Sequence, residues 1–167
     1  MLPDGVRLRA LVAHVDERGA FCELHRGEWE TGVAPLQWNA VRSAAGVLRG
    51  VHVHPRHDDY LVVYAGRATV GLRDLRGGEP RPSCIEVDGS EPTAITIPHG
   101  VAHGFYFHEP SIHIYAVSHY WDSADELGCH WADPELGIPW PVREAVVSER
   151  DAGLPPLATL AGLLDAP

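Results

Sequence analysis

Apolar and polar residues alternate along many short segments of this chain, and Gly, Pro and Asp residues separate those segments. Such alternation, with turn residues at close intervals, is typical of strands packed as a sandwich or a barrel. The predicted strands are Val6 to Val15, Leu36 to Val41, Val47 to His54, Tyr60 to Ala65, Ala68 to Leu72, Ala94 to Ile97, Gly104 to Phe107 and Ile112 to Ser118. The C-terminal stretch Leu157 to Leu164 predicts one brief helix. The pattern therefore indicates a mainly β class.

The length of 167 residues and the apolar content of 45% indicate a packed globule. Two separate cores in so short a chain would each fall near the lower limit for independent stability, so we predict a single domain over residues 1–167. The segments Gly77 to Pro82 and Asp133 to Pro141 are rich in turn residues. We interpret both as loops within that domain.

The charge balance excludes several classes of function. The formal net charge is -10, so broad binding to nucleic acid or to an anionic membrane is not expected. All 13 basic residues are arginines, which excludes a Schiff-base lysine and pyridoxal phosphate chemistry. The first ten residues, MLPDGVRLRA, contain no apolar targeting segment, which favours a cytoplasmic location. The cysteines Cys22, Cys84 and Cys129 lack metal-site spacing, and we interpret them as buried reduced thiols.

Histidines are concentrated on one face of a predicted strand. In Val47 to His54, strict alternation places His52 and His54 on one face and Arg49 on the other. Asp59 opens the next strand with an orientation that allows it to share an interior with the two histidines. Two imidazoles and a carboxylate are thus predicted to lie close together.

These residues form part of a recognisable motif pair. The run Gly46, His52-Val53-His54, Asp59 and Gly66, followed by Pro98-x-Gly100-x-x-His103, resembles the two cupin motifs, with Asp59 where cupins usually carry Glu. The asparagine that follows the last cupin histidine is replaced by Phe107. The resemblance implies a site for Fe, Mn, Ni or Zn. Its ligands are His52, His54, Asp59 and His103. The alternative is a set of hydrogen-bonded histidines in a polar barrel mouth.

A second resemblance covers nearly the whole chain. The matching segments, in order, are Asp16 to Phe21, Gly46 to His52, Ile97 to Phe105, Tyr115 to Asp122, Trp131 to Pro141 and Ser148 to Asp151. Together they resemble the dTDP-4-dehydrorhamnose 3,5-epimerase family. The resemblance implies an all-β fold, a cupin-type antiparallel jelly-roll barrel with a short C-terminal helical segment. It also implies a homodimeric isomerase of deoxysugar biosynthesis that acts on a nucleotide-linked 4-keto-6-deoxyhexose and requires no cofactor.

The resemblance assigns three catalytic residues. It makes His52 the general base, Asp151 the carboxylate that orients it, and Tyr115 the proton donor on the opposite face of the sugar. A histidine, an aspartate and a tyrosine suit the reaction, which removes a proton beside a ketone, stabilises the enolate that forms and returns a proton. From the residues alone, Tyr115 could equally be a core residue of an apolar strand, and Asp151 a helix N-cap.

Substrate-binding positions are matched as well: Arg18, Phe21, Glu23, Gln37, Asn39, Arg49 and Trp121. In the family this set holds the diphosphate and the base, partly across the dimer. One conflict is local, because alternation sends Arg49 and His52 to opposite faces of their strand. A bulge at Gly50 would reconcile them.

The chain departs from the family at one catalytic position. Asp59 stands where the family carries a lysine that stabilises the developing oxyanion, and an ionised aspartate would repel that charge. Three hypotheses follow: a 3-epimerase or 3,5-epimerase with another electrostatic partner, a metal-dependent cupin isomerase, lyase or oxygenase, and a non-catalytic nucleotide-sugar binding module. The first two compete, because a metal-bound His52 could not also act as a free base.

Overall fold

Short antiparallel strands make up most of the ordered structure. The computed structural model describes residues 1–77, 82–122 and 125–164. The strands are β1 (Arg7–Ala10), β2 (Ala13–Asp16), β3 (Gly19–Cys22), β4 (Gln37–Ser43), β5 (Leu48–Val53), β6 (Asp59–Ala65), β7 (Arg67–Asp74), β8 (Ser83–Asp88), β9 (Thr93–Ile97), β10 (Val101–Phe107), β11 (Ser111–Val117) and β12 (Leu127–Gly128). The helices are α1 (Glu149–Ala152) and α2 (Leu157–Leu164).

The strands form two five-stranded sheets and a separate hairpin. The first sheet has the order β1-β9-β6-β11-β4 and the second has the order β12-β5-β10-β7-β8, while β2 and β3 pair with each other. Neighbouring strands within each sheet are antiparallel. The expected all-β, jelly-roll barrel of the cupin type is confirmed. Within the described ranges, no helix is long and apolar enough to cross a membrane.

The largest inter-sheet core lies where the two sheets face each other. It joins Leu61 and Ile95 of the first sheet to Val70, Leu72 and Phe107 of the second. Burial of these side chains follows from strand alternation, which sends every second residue inward. This core closes one part of the barrel and leaves the other part open for a cavity.

A second core covers the outer face of the second sheet. Leu48, Val51 and Val53 of β5 pack there with Leu136 and Leu160 of the C-terminal segment. The predicted helix Leu157 to Leu164 is confirmed with the same bounds as α2. Its burial against β5 holds the C-terminal segment, including α1, close to the strand that carries the predicted base.

Strand β5 contains a bulge at the position that the sequence singled out. In the pairing with β10, His52 lies opposite His103 and Gly50 lies opposite Gly104, so Val51 is the extra residue. Leu48, Val51 and Val53 face the outer core, whereas Arg49, His52 and His54 face the cavity. Strict alternation was therefore wrong for Arg49, and the bulge that would reconcile Arg49 with His52 is confirmed.

Several element boundaries differ from the sequence prediction. The single strand predicted from Val6 to Val15 is two strands, β1 and β2. The last contact of this segment with the first sheet is the hydrogen bond from the Leu11 amide to the Pro92 carbonyl oxygen, and beyond it the chain pairs with β3 instead. Strands β3, β8 and β12 and helix α1 were not predicted. The first is exposed along most of its length and β8 lies at a sheet edge, so neither shows a clear inward face in the sequence.

The loop and cysteine predictions have mixed outcomes. Residues 133–141 form irregular structure as predicted, and part of the loop from Gly77 to Pro82 lies outside the described residues. Cys22, Cys84 and Cys129 are all free thiols, but Cys129 alone is buried. The expectation of three buried thiols was wrong, because Cys22 and Cys84 lie on strands near the surface of the barrel.

Candidate active site

A cavity of about 250 Å³ opens into the barrel between the two sheets. Strands β4, β6 and β11 of the first sheet and β5 and β10 of the second supply most of its lining. The sequence-predicted residues in the lining are Asn39, Arg49, His52, His54, Asp59, His103, Tyr115, Trp121 and Asp151. The fold thus brings together residues from five strands and the C-terminal segment.

His52 and Asp151 form a hydrogen-bonded pair at the cavity wall. Nε2 of His52 lies 2.8 Å from Oδ1 of Asp151, although the two residues are 99 positions apart in the sequence. The other carboxylate oxygen accepts the backbone N–H of Gly50 at 3.3 Å. Because an ionised carboxylate only accepts hydrogen bonds, Nε2 of His52 carries the proton and Nδ1 keeps its lone pair. This hydrogen bond fixes the tautomer of the His52 ring.

Asp151 is held in its ionised form. Burial opposes ionisation, but the hydrogen bond from His52, together with that from the Gly50 amide, lowers the pKa of the Asp151 carboxyl below its ordinary value. Asp151 lies within α1, and Ser148 caps that helix by accepting the Asp151 amide at 3.0 Å. The alternative of Asp151 as the N-cap was therefore wrong, since Ser148 occupies that position.

A second cluster lies deeper in the cavity. One ligand atom from each of His54, Asp59 and His103 lies within 4.8 Å of the others, and all three residues are buried. Nε2 of His54 and Nε2 of His103 are each 3.5 Å from Oδ2 of Asp59. Two imidazoles and a carboxylate are a suitable ligand set for a transition metal.

The environment sets the protonation of this cluster. Burial, followed by the charge of His57, lowers the pKa of His54 to about 3. Burial, followed by the charge of His54, lowers the pKa of His103 to about 3. Burial and the nearby carboxylates, of which Glu126 acts most strongly, raise the pKa of Asp59 well above its ordinary value. Both imidazoles are neutral near pH 7.

His52 does not join this cluster. The sequence placed His52 with His54, Asp59 and His103 in one ligand set. Among the described residues, the ligand atoms that lie within 4.8 Å of one another belong to His54, Asp59 and His103 and, in a second group, to His54, His57 and Glu126, so neither group contains His52. The physical reason is the hydrogen bond that engages Nε2 of His52 with Asp151. The expected competition between a metal-bound and a basic His52 is removed, because base and cluster occupy different parts of the same cavity.

Tyr115 lies in β11 and lines the cavity. Burial, together with the negative charges of Glu126 and Asp59, raises the pKa of its hydroxyl above the ordinary value. The side chain is therefore a neutral O–H donor near pH 7. Tyr115 also packs against the inter-sheet core, so the structure shows both a core contact and a place in the cavity lining.

Polar and aromatic residues surround the cavity mouth. Arg49 is exposed there, and its Nε donates to Oγ of Ser43 at 2.9 Å. Gln37 donates to Asn39 at 3.0 Å and accepts the backbone N–H of Trp121 at 3.0 Å. Gln37 is not part of the lining itself, but it connects two residues that are. An arginine, an amide and an exposed indole can contact phosphate and a nucleobase.

Three predicted substrate-binding residues lie away from the cavity of their own chain. Arg18 and Phe21 belong to the exposed β2–β3 hairpin, and Glu23 follows it. Phe21 is 63% exposed, Arg18 pairs with Asp16, and Glu23 pairs with Arg26. The structure therefore separates these three from Asn39, Arg49 and Trp121.

Sequence reasoning missed further residues of the cavity lining: His57, His113, Glu126 and Arg150. His57 stacks on His54 with ring centroids 3.9 Å apart and bonds Asp125 at 2.6 Å. Glu126 precedes β12, and Arg150 contacts it at 3.1 Å. The density of histidines between positions 52 and 57 was a usable signal for His57. The sequence contained no comparable signal for Glu126, because its position in the cavity depends on the pairing of β12 at the edge of the second sheet.

The fold and the cavity define a cupin-type enzyme whose site is built from histidines and carboxylates. Residues 3–159 match the family model described as dTDP-4-dehydrorhamnose 3,5-epimerase, and the chain belongs to that family.

Individual relatives support this assignment. The spore coat polysaccharide biosynthesis protein SpsL of Bacillus subtilis is 33% identical over 144 residues, covering 82% of this chain and 95% of that protein. A dTDP-4-dehydrorhamnose 3,5-epimerase of Streptomyces griseus is 33% identical over 170 residues, covering 93% of this chain and 84% of that protein. The crystal structure of ChmJ, a 3'-monoepimerase from Streptomyces bikiniensis in complex with dTDP-quinovose, has a TM-score of 0.86 at 30% identity, covering 98% of this chain and 90% of that one.

Proposed function

We propose that this protein is a sugar-nucleotide 3-epimerase or 3,5-epimerase that acts on a dTDP-4-keto-6-deoxyhexose. The observation that carries the proposal is the hydrogen-bonded His52–Asp151 pair in a cavity that Tyr115 also lines. A base and an acid on different walls of one cavity suit removal of a proton from one face of a sugar and delivery to the other.

His52 acts as the general base through Nδ1. Its Nε2 is engaged by Asp151, so the remaining nitrogen has the free lone pair. The carboxylate fixes the tautomer and stabilises the imidazolium that forms when His52 takes the proton beside the ketone. This role follows the family resemblance and is supported by the fixed orientation of the ring.

Tyr115 acts as the proton donor. It extends from β11 in the first sheet, whereas His52 extends from β5 in the second sheet. A neutral phenol supplies the proton that replaces the one His52 removed, and the stereocentre is inverted. The reaction moves protons and transfers no electrons to or from the substrate, so this chemistry requires no redox cofactor.

Binding of the nucleotide involves the residues at the cavity mouth and a second copy of the chain. Arg49 holds the diphosphate by charge-assisted hydrogen bonds, and Trp121 packs against the base. Arg18, Phe21 and Glu23 do not line the cavity of their own chain, which supports a homodimer in which each β2–β3 hairpin serves the partner's site. The substrate is a small molecule, and neither nucleic acid nor a membrane is involved.

Solvent-deuterium exchange into the sugar tests the proposed reaction. In D₂O, the wild type should introduce deuterium at C3, or at C3 and C5, of dTDP-4-keto-6-deoxyglucose, and the number of labelled positions separates the two activities. His52→Asn should slow exchange by about 100- to 10,000-fold, because it removes the general base.

Asp151→Asn provides the second arm of the same experiment. The amide can no longer hold His52 in the productive tautomer, so exchange should slow by at least about 10-fold while dTDP affinity is retained. His119→Asn is the control, since His119 is exposed and lies outside the cavity lining. Binding of dTDP without any exchange by the wild type would instead indicate a nucleotide-sugar binding module.

A further inference from the structure

His54, Asp59 and His103 direct three electron-pair donors toward one another inside the cavity. Their relative exposures are 5%, 6% and 4%, so water has little access to any of them. One ligand atom of each lies within 4.8 Å of the other two. Buried polar atoms are normally satisfied by a partner, so the contacts of these three determine what the cluster can bind.

Backbone carbonyl groups fix the tautomer of both histidines. Nδ1 of His54 lies 3.1 Å from the carbonyl oxygen of Asp125, and Nδ1 of His103 lies 3.0 Å from that of Val101. A carbonyl oxygen only accepts, so each Nδ1 carries a hydrogen and each Nε2 has a lone pair. Metal-binding histidines are typically oriented in this way by an outer hydrogen bond.

The two lone pairs meet a third acceptor. Each Nε2 is 3.5 Å from Oδ2 of Asp59. A proton on Asp59 can serve one of these nitrogens but not both, whereas a cation between the three atoms satisfies all of them. Two ligands at about 2.1 Å from a tetrahedral zinc ion are about 3.4 Å apart, which agrees with the observed separation.

The charges around Asp59 also favour a cation. The carboxylates of Glu126, Asp58 and Asp125 all act on Asp59 and add negative charge. Nearby arginines are engaged elsewhere, Arg56 with Asp125 at 3.1 Å and Arg150 with Glu126 at 3.1 Å. Within the part of the chain that the structure describes, the side chain of Asp59 has polar contacts with the two imidazoles alone.

We propose that His54, Asp59 and His103 bind one divalent transition-metal ion, for which zinc is the probe. His52 lies outside this ligand set, so a bound metal leaves the His52–Asp151 base intact. Metal binding is independent of the proposed epimerase function, but its use in catalysis rests on that function. The ion would supply, as a Lewis acid, the positive charge that the family's lysine provides where Asp59 stands.

Metal affinity measured without substrate tests the ligand set. Full-length protein freed of metal by a chelator is titrated with Zn²⁺ in competition with a chromophoric chelator, and Co²⁺ is added separately to record visible d–d absorption. We expect one equivalent per chain with sub-micromolar affinity. Asp59→Asn and His103→Asn should each weaken Zn²⁺ binding by at least about 100-fold and abolish the Co²⁺ spectrum.

Two controls separate this site from other histidine–carboxylate pairs. Glu86→Gln changes a carboxylate that lies 3.2 Å from Nε2 of His108 and does not line the cavity. His52→Asn changes the predicted base. Both should retain Zn²⁺ affinity within about 3-fold, because neither side chain belongs to the ligand set. Circular dichroism of each metal-free variant verifies the fold, and His54→Gln replaces any ligand variant that does not fold.

The outcomes are distinct. Equal Zn²⁺ affinity in wild type and ligand variants would show binding by surface histidines and overturn the proposal, as would a lack of sub-micromolar binding. Loss of the metal in His52→Asn would overturn the three-residue set. Deuterium exchange, measured before and after reloading with Zn²⁺, is read separately. Equal exchange by the metal-free and the Zn²⁺-loaded protein would show that the metal has no catalytic role. No exchange by either protein would reject the epimerase function and leave the metal-binding proposal unaffected.

Discussion

At the scale of single residues, the hydrogen bonds that each carboxyl group in the cavity accepts determine whether that group is ionised. Asp151 accepts from His52 and Gly50 and is held ionised. Among the residues that the structure describes, no hydrogen bond is donated to the carboxyl group of Asp59, and burial makes it resist ionisation. Two buried aspartates therefore have opposite protonation preferences within one site. The difference agrees with the roles proposed for the two residues, in which Asp151 orients a base and Asp59 binds a cation.

Arg49→Ala tests nucleotide recognition. Removal of one charge-assisted contact to phosphate should weaken dTDP binding by about 1.5–3 kcal/mol, measured by calorimetry. Arg67→Ala is the matched control, because Arg67 is exposed on β7 and does not line the cavity. No detectable dTDP binding by the wild type at millimolar ligand would remove the sugar-nucleotide assignment.

His113 provides a pH test of the same cavity. It packs between the rings of Phe105, Phe107 and Tyr115, and burial, followed by the charge of Arg49, lowers its pKa from 6.5 to about 4. Between these two values the unfolded chain binds a proton that the folded chain does not. The free energy of unfolding should therefore fall by up to about 1.4 kcal/mol per pH unit as the pH is lowered through that interval.

His113→Phe should remove this contribution. Urea unfolding at several pH values between 7 and 4 should give a shallower fall for the variant than for the wild type, with a difference of up to about 1.4 kcal/mol per pH unit. The exposed His119 serves as the comparison in His119→Phe. Identical slopes for wild type and His113→Phe would contradict the lowered pKa.

At the scale of elements, the bulge in β5 decides which side chains face the cavity. The extra residue Val51 turns Arg49 to the same face as His52 and His54, while Leu48 and Val53 stay in the outer core. In a regular strand, Arg49 would face the outer core if His52 faced the cavity, because side chains alternate between the two faces. One irregular position thus brings the residue proposed for phosphate recognition and the residue proposed for proton transfer to the same face of one strand.

Gly50→Ala tests the bulge. Gly50 has a φ of 119°, and an added Cβ would lie 2.8 Å from Cα of Gly104 and 2.9 Å from the His103 carbonyl oxygen. Gly46 has a φ of 77° with no atom within 4 Å of such a Cβ, so Gly46→Ala measures the backbone cost alone. We expect losses of about 1 kcal/mol for Gly46→Ala and about 2–4 kcal/mol for Gly50→Ala in urea unfolding. Equal losses would indicate that the close approach to β10 is unimportant.

At the scale of the whole molecule, the N-terminal region is more exposed than the rest of the barrel. Val15 and Phe21 of the hairpin and Trp38 of the edge strand β4 are 76%, 63% and 44% exposed. A hairpin of two strands is marginally stable alone, and exposed apolar residues on it indicate a contact with another surface. A second copy of the chain would cover this surface and bring Arg18 and Phe21 to its cavity.

Phe21→Asp tests the dimer. The charge should shift the sedimentation equilibrium toward monomer and weaken dTDP binding by at least about 10-fold in the same samples, because one surface serves both purposes. Val146→Asp is the control, since Val146 has a similar exposure of 64% and lies outside the hairpin. A wild type that is monomeric at micromolar concentration would contradict the proposed assembly.

A single cooperative unfolding transition of the whole chain would support the prediction of one domain.

The sequence by itself determined the β class, most strand positions, the bounds of α2 and the orientation of His52, His54 and Asp59. These features depend on local alternation and on an ordered series of motifs, which are present in the chain before it folds. The conflict between Arg49 and His52 also indicated the bulge at Gly50, because one extra residue reverses the face of all that follow.

The family resemblance implied the pairing of His52 with Asp151, but the tertiary structure alone decided which residues form the buried cluster. It excluded His52 from the cluster of His54, Asp59 and His103, and brought Glu126 beside that cluster. Distances between groups so far apart in the sequence depend on strand register and on where the C-terminal segment packs. Alternation fixes the face on which a side chain lies, but the packing of distant segments fixes its partner, and the partner sets its protonation and its chemistry.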